Sequence, residues 1–247
     1  MLFTIATVTK NNVQGIEKTW NSIKTQSFKN FEWLVQDGVS TDNTQDFLKN
    51  TNAHTVSEPD KGIYDGMNKL VKRAKGRYII FMNAGDMLAA SDTLQTIADA
   101  IDNQSSEFIY GDAFEEVQNK HYYKTARPHS KIKYGMPTHH QAMLYKTSTL
   151  KETHYNETYT IAADYELTAR VINASQNITY IPKPLCIFEA GGTSQKNVKL
   201  GRNEQFQIRK NLKLCCAFEN HLITNLQKLN FAFRKAFPPL YWLLKRR

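Results

Sequence analysis

The chain has 247 residues, 41% of them hydrophobic and 22% charged, which is enough to bury the core of one α/β domain with an appended C-terminal segment. No apolar run in the sequence approaches the roughly 18 residues needed to cross a bilayer, and the N-terminal MLFTIATVTK is typical of a first strand and not of a signal peptide. The net charge of +9 favours anionic partners, which leaves nucleic acid, anionic lipid and phosphorylated substrates as candidates.

Strands and helices alternate along the first hundred residues. Segments rich in β-forming residues at 2–8, 31–35, 54–57 and 78–82 predict four strands. Helices are predicted between and after them, because apolar residues recur every three or four positions around Ile16, around Met67 and after Asp92. This β-α-β-α order predicts a mainly parallel sheet with helices on both faces. Ligands bind such sheets beyond the carboxyl ends of the strands.

The second half of the chain mixes shorter elements. Strands are predicted near residues 108–110, 121–125, 141–145 and 178–181, with a helix from about 164 to 174. From Val198 the pattern is helical and basic until Pro238 and Pro239 interrupt it. We therefore predict one domain over residues 1–195 and a helical, basic C-terminal extension over residues 196–247.

Three acids end the predicted strands or follow them: Asp37, Asp60 and Asp86. A carboxylate at this edge can accept hydrogen bonds from a nucleobase or a ribose, or hold a divalent cation against a diphosphate. Each aspartate taken alone is also typical of an ordinary turn, as in Asp37-Gly38 and Gly85-Asp86. Their shared position relative to the sheet favours a common ligand site.

Two further candidates stand in the second half. Asp164 begins a predicted helix, where it can serve as an N-cap worth about 1 kcal/mol or as a general base, and the spacing does not decide between these roles. His139 and His140 are adjacent and come directly before the strand predicted at residues 141–145. Because successive residues of a strand point to opposite faces, at most one of the two is expected to face a site. A lone histidine at such a position is more often structural than catalytic.

Several segments resemble, in order, the motifs of family-two glycosyltransferases of the GT-A fold. VQDGVSTDNT at residues 35–44 resembles DGxSxDxT, SEPDKGIYDGMNK at residues 57–69 resembles SEPDxGIYDAMNKG, and KGRYIIFMNAGD at residues 75–86 resembles GxYxxFLNSGD. HQ at residues 140–141, ADYE at residues 163–166 and GGTS at residues 191–194 are similar to later markers. The second motif is typical of the branch that makes colanic acid, O-antigen and capsule.

The resemblance implies an α/β domain of the Rossmann-like GT-A fold that transfers a hexose, with inversion, from a UDP- or GDP-sugar. The implied acceptor is lipid-linked or a polysaccharide of the bacterial surface. Asp164 matches the catalytic base, Asp86 matches the ligand of a divalent cation (Mg²⁺ or Mn²⁺), and His140 and Gln141 would lie near the acceptor. Four polar residues would bind the nucleotide-sugar: Thr9, Asp37, Asp60 and Asn83.

The chain departs from the family pattern at the metal motif. Asn83 and Gly85 replace further acids, so that Asp86 is the carboxylate that remains. One carboxylate together with two phosphates can still hold Mg²⁺, which keeps several waters in proteins. Ala163 stands where many relatives carry Glu, a change that leaves Asp164 in place.

The C-terminal residues interleave aromatic and basic side chains between Phe231 and Arg247. This pattern suits the interface of an anionic membrane, where each basic residue contributes about 1 kcal/mol. The alternative is a helix packed on the domain with a solvated basic end.

The adjacent pair Cys215-Cys216 with Cys186 suits neither a disulfide framework nor a zinc site. We therefore predict a cytoplasmic protein at the surface of the inner membrane, with the inner leaflet as a partner.

The residues alone are also compatible with two other classes of protein, nucleic-acid-binding proteins and sugar nucleotidyltransferases. The charge suggests nucleic-acid binding, but the sequence lacks a helix-turn-helix, zinc-finger or RNA-recognition motif, so no nucleic-acid partner is predicted. A sugar nucleotidyltransferase uses a similar sheet. It needs a glycine-rich pyrophosphate loop near the first strand, where this chain has Thr9, Lys10 and Asn11.

Overall fold

The computed structural model describes residues 1–101, 106–192 and 196–237. Its strands are β1 (Phe3–Thr9), β2 (Phe31–Asp37), β3 (His54–Ser57), β4 (Tyr78–Phe81), β5 (Met87–Leu88), β6 (Phe108–Val117), β7 (Lys120–Lys124), β8 (Met143–Lys146) and β9 (Ile178–Glu189). Its helices are α1 (Val13–Lys24), α2 (Thr44–Lys49), α3 (Ile63–Arg73), α4 (Thr93–Ile101), α5 (Thr147–Thr153), α6 (Ala163–Ala174), α7 (Val198–Asn211) and α8 (Ala217–Ala236). Short 3₁₀ helices occupy His129–Tyr134 and His140–Ala142.

The nine strands of the described residues belong to one sheet, in the order β3-β2-β1-β4-β8-β6-β9-β5, with β7 paired to β6. The first four of these are parallel, as the alternating strands and helices predict. Beyond β4 the sheet is mixed: β8 is antiparallel to both β4 and β6, whereas β6 and β9 are parallel. Strands β6 and β9 are longer than predicted, because their pairing continues across register shifts at Gly111 and Asp112.

The core lies on both faces of the sheet. Alternate residues of β1 and β4 point to opposite faces, so Ala6 and Phe81 pack with α3 and α6, whereas Ile5 and Ile80 pack with α1 and α4. These side chains are completely buried or nearly so. Burial of one large aliphatic or aromatic side chain stabilises the fold by about 1.5–3 kcal/mol. The sheet is therefore a rigid base, and its carboxyl edge can hold a site.

The helices α7 and α8 pack against the rest of the protein. Gly201 of α7 lies so close to Ile161 that an added Cβ would come within 3.0 Å of its side chain. The completely buried Arg209 of α7 joins the two helices by donating to Oδ1 of Asn220 (2.6 Å) and to Oγ1 of Thr224 (2.9 Å). Within the described residues, the structure contains no helix with the length and apolar character of a membrane span. The residues from Pro238 to Arg247, and Thr193 and Ser194 of the GGTS segment, lie outside the description.

Candidate functional site

A cavity of about 850 Å³ lies beyond the end of β4. Its walls come from the loop after β4, the 3₁₀ turn before β8, the start of α6, the end of β9, and parts of α3, α7 and α8. Five of the eight residues to which the family resemblance assigned a role line it: Asn83, Asp86, His140, Gln141 and Asp164. These five polar groups therefore meet in one place, although they are up to 81 residues apart in sequence.

Asp164 is the second residue of α6, and Ala162 occupies the N-cap position. The N-cap role considered for Asp164 is therefore wrong. Its Oδ1 accepts a hydrogen bond from the Tyr165 amide at 2.7 Å. Burial raises the pKa of the Asp164 carboxyl to about 6, against the backbone hydrogen bonds that lower it. A carboxylate with this pKa is mostly ionised at pH 7 and yet accepts a proton readily, as a general base must.

The turn that precedes Asp164 is held by Glu204 of α7. The Glu204 carboxylate accepts hydrogen bonds from three successive backbone amides, those of Thr160 (2.8 Å), Ile161 (2.9 Å) and Ala162 (2.8 Å). From the other side, the Tyr64 hydroxyl of α3 donates to the Ile161 carbonyl at 2.8 Å. These contacts fix the backbone that enters α6, so Glu204 positions Asp164 without lining the cavity.

Asp86 is buried beside the cavity and accepts two hydrogen bonds. Gln141 donates to its Oδ2 at 2.7 Å, and the Glu189 amide donates to its Oδ1 at 3.1 Å. Desolvation raises the pKa of Asp86 to about 7. A buried carboxylate with so high a pKa binds a cation or a donor readily, because a positive partner relieves the desolvation. Gln141 contacts Asp86 directly, which the sequence did not indicate.

His139 and His140 both line the cavity, so the expectation that at most one faces the site is wrong. The reason is local: His140 begins a 3₁₀ turn, and the strand β8 starts only at Met143. His140 is buried, stacks on Phe81, and has its Nε2 at 2.8 Å from the Tyr155 hydroxyl. Desolvation lowers its pKa to about 4, so the imidazole is neutral at pH 7.

Thr9, Asp37 and Asp60 form a second polar cluster outside the cavity lining. Thr9 and Asp37 are partners in the β1–β2 register. An added Cβ on the intervening Gly38 would lie 2.7 Å from Oδ2 of Asp60. Asp37 is completely buried, and its oxygens accept from Ser40 Oγ (2.5 Å) and Ser57 Oγ (2.6 Å). The buried Thr9 Oγ1 has no hydrogen-bond partner among the described residues.

Basic side chains contribute to the same cavity. Lys124, Arg127 and Arg202 all line it, from the end of β7, the following loop and α7. Arg127 is partly fixed, because its Nη2 donates to the Met136 carbonyl at 2.9 Å. The same cavity is lined by three acids, Asp86, Asp164 and Glu189, so it offers positive groups to an anionic ligand beside carboxylates that suit a cation.

Comparison with known proteins decides the family. Residues 4–172 match the model described as "Glycosyl transferase family 2". The chain belongs to this family. A PGL/p-HBAD biosynthesis glycosyltransferase of Mycobacterium bovis (strain BCG / Pasteur 1173P2) is 28% identical over 186 residues, which cover 72% of each chain. The putative teichuronic acid biosynthesis glycosyltransferase TuaG of Bacillus subtilis (strain 168) is 33% identical over 91 residues, 34% of this chain and 36% of TuaG.

Solved structures of other proteins share the fold of this family-2 glycosyltransferase. S. aureus TarS 1–349 in complex with UDP-GlcNAc superimposes with a TM-score of 0.73 at 19% identity, covering 94% of this chain and 73% of TarS 1–349. Mannosyltransferase PcManGT from Pyrobaculum calidifontis, in complex with GDP-Man and Mn²⁺, gives a TM-score of 0.65 at 15% identity, covering 98% of this chain and 78% of PcManGT. The predicted family and the α/β GT-A fold are thus confirmed.

The donor atoms at the cavity fit a divalent cation that prefers oxygen. Asp86 supplies a carboxylate, and Asn83 Oδ1 is buried without a hydrogen-bond partner in the described part of the chain. Over residues 1–101, 106–192 and 196–237, no three His, Cys, Asp or Glu side chains cluster as a metal site. Mg²⁺ and Mn²⁺ are commonly held by one or two carboxylates, substrate phosphates and water, so a site completed by substrate is consistent with this set.

Several residues of the site were missed in the sequence. Glu204 is missed because one glutamate in a polar helix carries no signal of burial. Tyr64 belongs to a matched motif but was assigned no role. Asn12 lines the cavity, caps α1 by accepting from Gly15, and donates to the Ala84 carbonyl at 3.2 Å. The sequence did contain a signal for Asn12, because an asparagine between the first strand and the first helix is typical of a helix N-cap.

Proposed function

We propose that this glycosyltransferase moves a hexose from a UDP- or GDP-sugar to a hydroxyl of a lipid-linked or polysaccharide acceptor, with inversion at the anomeric carbon. One observation carries the proposal: a single cavity has the base candidate Asp164 on one wall and the oxygen ligands Asp86 and Asn83 on another. The relatives named above, glycosyltransferases of PGL/p-HBAD and teichuronic acid biosynthesis, support a role in bacterial surface glycans.

Asp164 acts as the general base in this proposal. It takes the proton from the acceptor hydroxyl as the oxygen of that hydroxyl bonds to the anomeric carbon. The bond from that carbon to the diphosphate oxygen breaks with its electron pair, and the nucleoside diphosphate leaves. Inversion needs only this one displacement, so no covalent nucleophile is required.

The two polar clusters divide the donor between them. Thr9, Asp37 and Asp60 lie at the ends of neighbouring strands, where they are suited to the nucleoside, and the unpartnered Thr9 Oγ1 is available to a ligand. Asn83 contributes from the cavity side. Lys124, Arg127 and Arg202 would offset the charge of the diphosphate.

A divalent cation held by Asp86, with Asn83 Oδ1 beside it, would stabilise the negative charge that develops on the departing diphosphate. The hydrogen bonds from Gln141 and from the Glu189 amide orient the Asp86 carboxylate for this role. Gln141, which the resemblance placed near the acceptor, thus acts on the donor side of the cavity through its contact with Asp86. His140, neutral and stacked on Phe81, would present an uncharged wall to the acceptor sugar.

The acceptor is proposed to be presented at the cytoplasmic surface of the inner membrane. The aromatic and basic residues of the C-terminal segment support this placement. We retain residues 196–247 as a helical extension of the domain over residues 1–195, and this extension would bring the cavity to a lipid-linked substrate.

A thermal-shift screen tests the donor site. The purified protein is incubated with UDP-, GDP- and dTDP-sugars, each with and without Mn²⁺. We expect a rise in melting temperature for one nucleotide class that depends on the metal. A subsequent turnover assay must release nucleoside diphosphate, because release of pyrophosphate would instead indicate a nucleotidyltransferase. If no donor shifts the melting temperature with or without an added acceptor, the proposal fails.

A further inference from the structure

Helix α8 has two different faces. On its inner face, Asn220 and Ile223 are buried, and Gln227, Asn230 and Phe231 line the cavity. The guanidinium of Arg202 lies over the Phe231 ring at 5.6 Å, which fixes this face against α7. The helix is therefore a wall of the candidate active site and not a detached appendage.

The outward stripe of α8 is apolar and exposed. Its members are 48% to 79% exposed and are spaced by four, four and three residues, so that they share one face of the helix: Phe218, Leu222, Leu226 and Leu229. A contiguous apolar face of this length on a soluble protein marks a contact with another molecule or with lipid.

The charge of the surrounding segment indicates what this contact is. Residues 196–247 contain 12 Lys and Arg residues and only two acids, Glu204 and Glu219, whereas the whole chain carries +9. The remaining residues, 1–195, are therefore close to neutral. A second copy of this chain on the stripe would bring two strongly cationic segments together, which is unfavourable. An anionic bilayer offers both apolar depth for the stripe and negative charge for the cations.

We propose that α8 lies in the interface of an anionic lipid bilayer, with the outward stripe inserted among the acyl chains. The helix then separates the lipid surface from the cavity by its own thickness, because its opposite face carries Gln227 and Phe231. The lipid part of a lipid-linked acceptor thus stays in the membrane, while its hydroxyl group reaches Asp164 along the edge of α8. This last step rests on the function proposed above, whereas the membrane contact does not.

Vesicle binding by the full chain tests the inference. The protein is sedimented with vesicles of phosphatidylcholine alone and with vesicles that also contain phosphatidylglycerol. We expect binding to the anionic vesicles, weakened by salt. The triple variant Leu222→Gln, Leu226→Gln, Leu229→Gln should bind at least about tenfold more weakly, because three apolar side chains no longer enter the interface. The control Val56→Gln, an exposed apolar residue on the edge strand β3, should stay within about twofold.

The readouts separate this inference from the proposed function. All variants should keep the same donor-induced rise in melting temperature, since none of the substituted residues lines the cavity. The inference is overturned if the wild-type protein ignores anionic vesicles or if the triple variant binds them equally well. It is also overturned if light scattering shows a wild-type oligomer that the triple variant converts to a monomer with unchanged vesicle binding, because the stripe is then an interface between copies.

Discussion

The substitution Glu204→Gln probes how α7 positions Asp164, the proposed general base. The Glu204 carboxylate accepts from three backbone amides, and hydrogen bonds to a charged group are worth about 1.5–3 kcal/mol each. Glutamine keeps a single acceptor oxygen and places its amide nitrogen against at least one of these N–H groups. We therefore expect a loss of about 2–3 kcal/mol, which lowers the melting temperature of a chain of this size by about 5–10 °C.

Glu204→Gln should also change catalysis, and this change is measured separately from the loss of stability. A shifted turn moves Asp164, and a displacement of about 1 Å at a reacting group reduces the rate by about 10²-fold, so kcat should fall by 10- to 100-fold. The negative charge of Glu204 also helps to raise the pKa of Asp164, while burial is the largest cause. Three tyrosines that interact with Asp164 have raised pKa values and stay neutral near pH 7: Tyr64, Tyr145 and Tyr155. Removal of the charge lowers the Asp164 pKa, and since the base must be ionised, the acid limb of the profile moves to lower pH.

The assay is kcat/KM against pH for the wild-type protein, Glu204→Gln and a matched control. Glu219→Gln serves as the control, because Glu219 belongs to α8 and forms a partly exposed ion pair with Lys133 at 2.7 Å, which contributes about 1 kcal/mol or less. A merely structural role would lower stability without moving the pH profile. The reasoning is refuted if Glu204→Gln matches Glu219→Gln in both rate and acid limb.

Three further predictions follow from the same contacts. In the wild-type protein, kcat/KM should fall as pH drops through about 6, because the raised pKa of Asp164 means that the base becomes protonated there; a profile flat down to pH 4.5 would contradict this. Asp86→Asn should abolish the Mn²⁺ dependence of the donor-induced thermal shift while leaving the protein folded, and a retained metal response would exclude Asp86 as the ligand. Truncation after Phe237 removes Lys245, Arg246 and Arg247 but keeps the outward stripe of α8; vesicle binding should weaken by about 1 kcal/mol per cation removed and lose part of its salt sensitivity, and unchanged binding would show that these cations do not touch the membrane.

The fold was predictable wherever periodicity and length are strong. The strands β1 to β4 and the helices α1, α3 and α6 come from long apolar patterns, and their bounds differ by only a few residues from those predicted. The six-residue helix α2 and the two-residue strand β5 were missed, because a single turn or a single ladder pair leaves no periodic pattern. The extra length of β6 and β9 depends on pairing between distant segments, which local sequence does not contain.

The site was predictable in part for a similar reason. The carboxyl ends of parallel strands converge, so the positions of Asp37, Asp60 and Asp86 could be inferred from the order of elements. The division of the site into the cavity and the separate cluster of Thr9, Asp37 and Asp60 could not be inferred, because it depends on where the loops after the strands fold back. The expectation that only one of His139 and His140 faces the site was wrong because it assumed the alternation of a strand, whereas His140 begins a 3₁₀ turn. The predicted domain boundary near residue 195, and the individual roles of the site residues, stay predictions.

The most direct test of the account is the substitution Asp164→Asn. The amide has nearly the shape of the carboxylate but cannot accept a proton, so donor binding should persist while transfer falls by about 10²–10⁴-fold. Donor binding is measured as the thermal shift, and transfer is measured as release of nucleoside diphosphate in the presence of acceptor. Asp46→Asn, at an exposed ion pair with Lys49, is the matched control and should behave as the wild-type protein. Lost donor affinity with surviving turnover would contradict the assignment of Asp164 as the base.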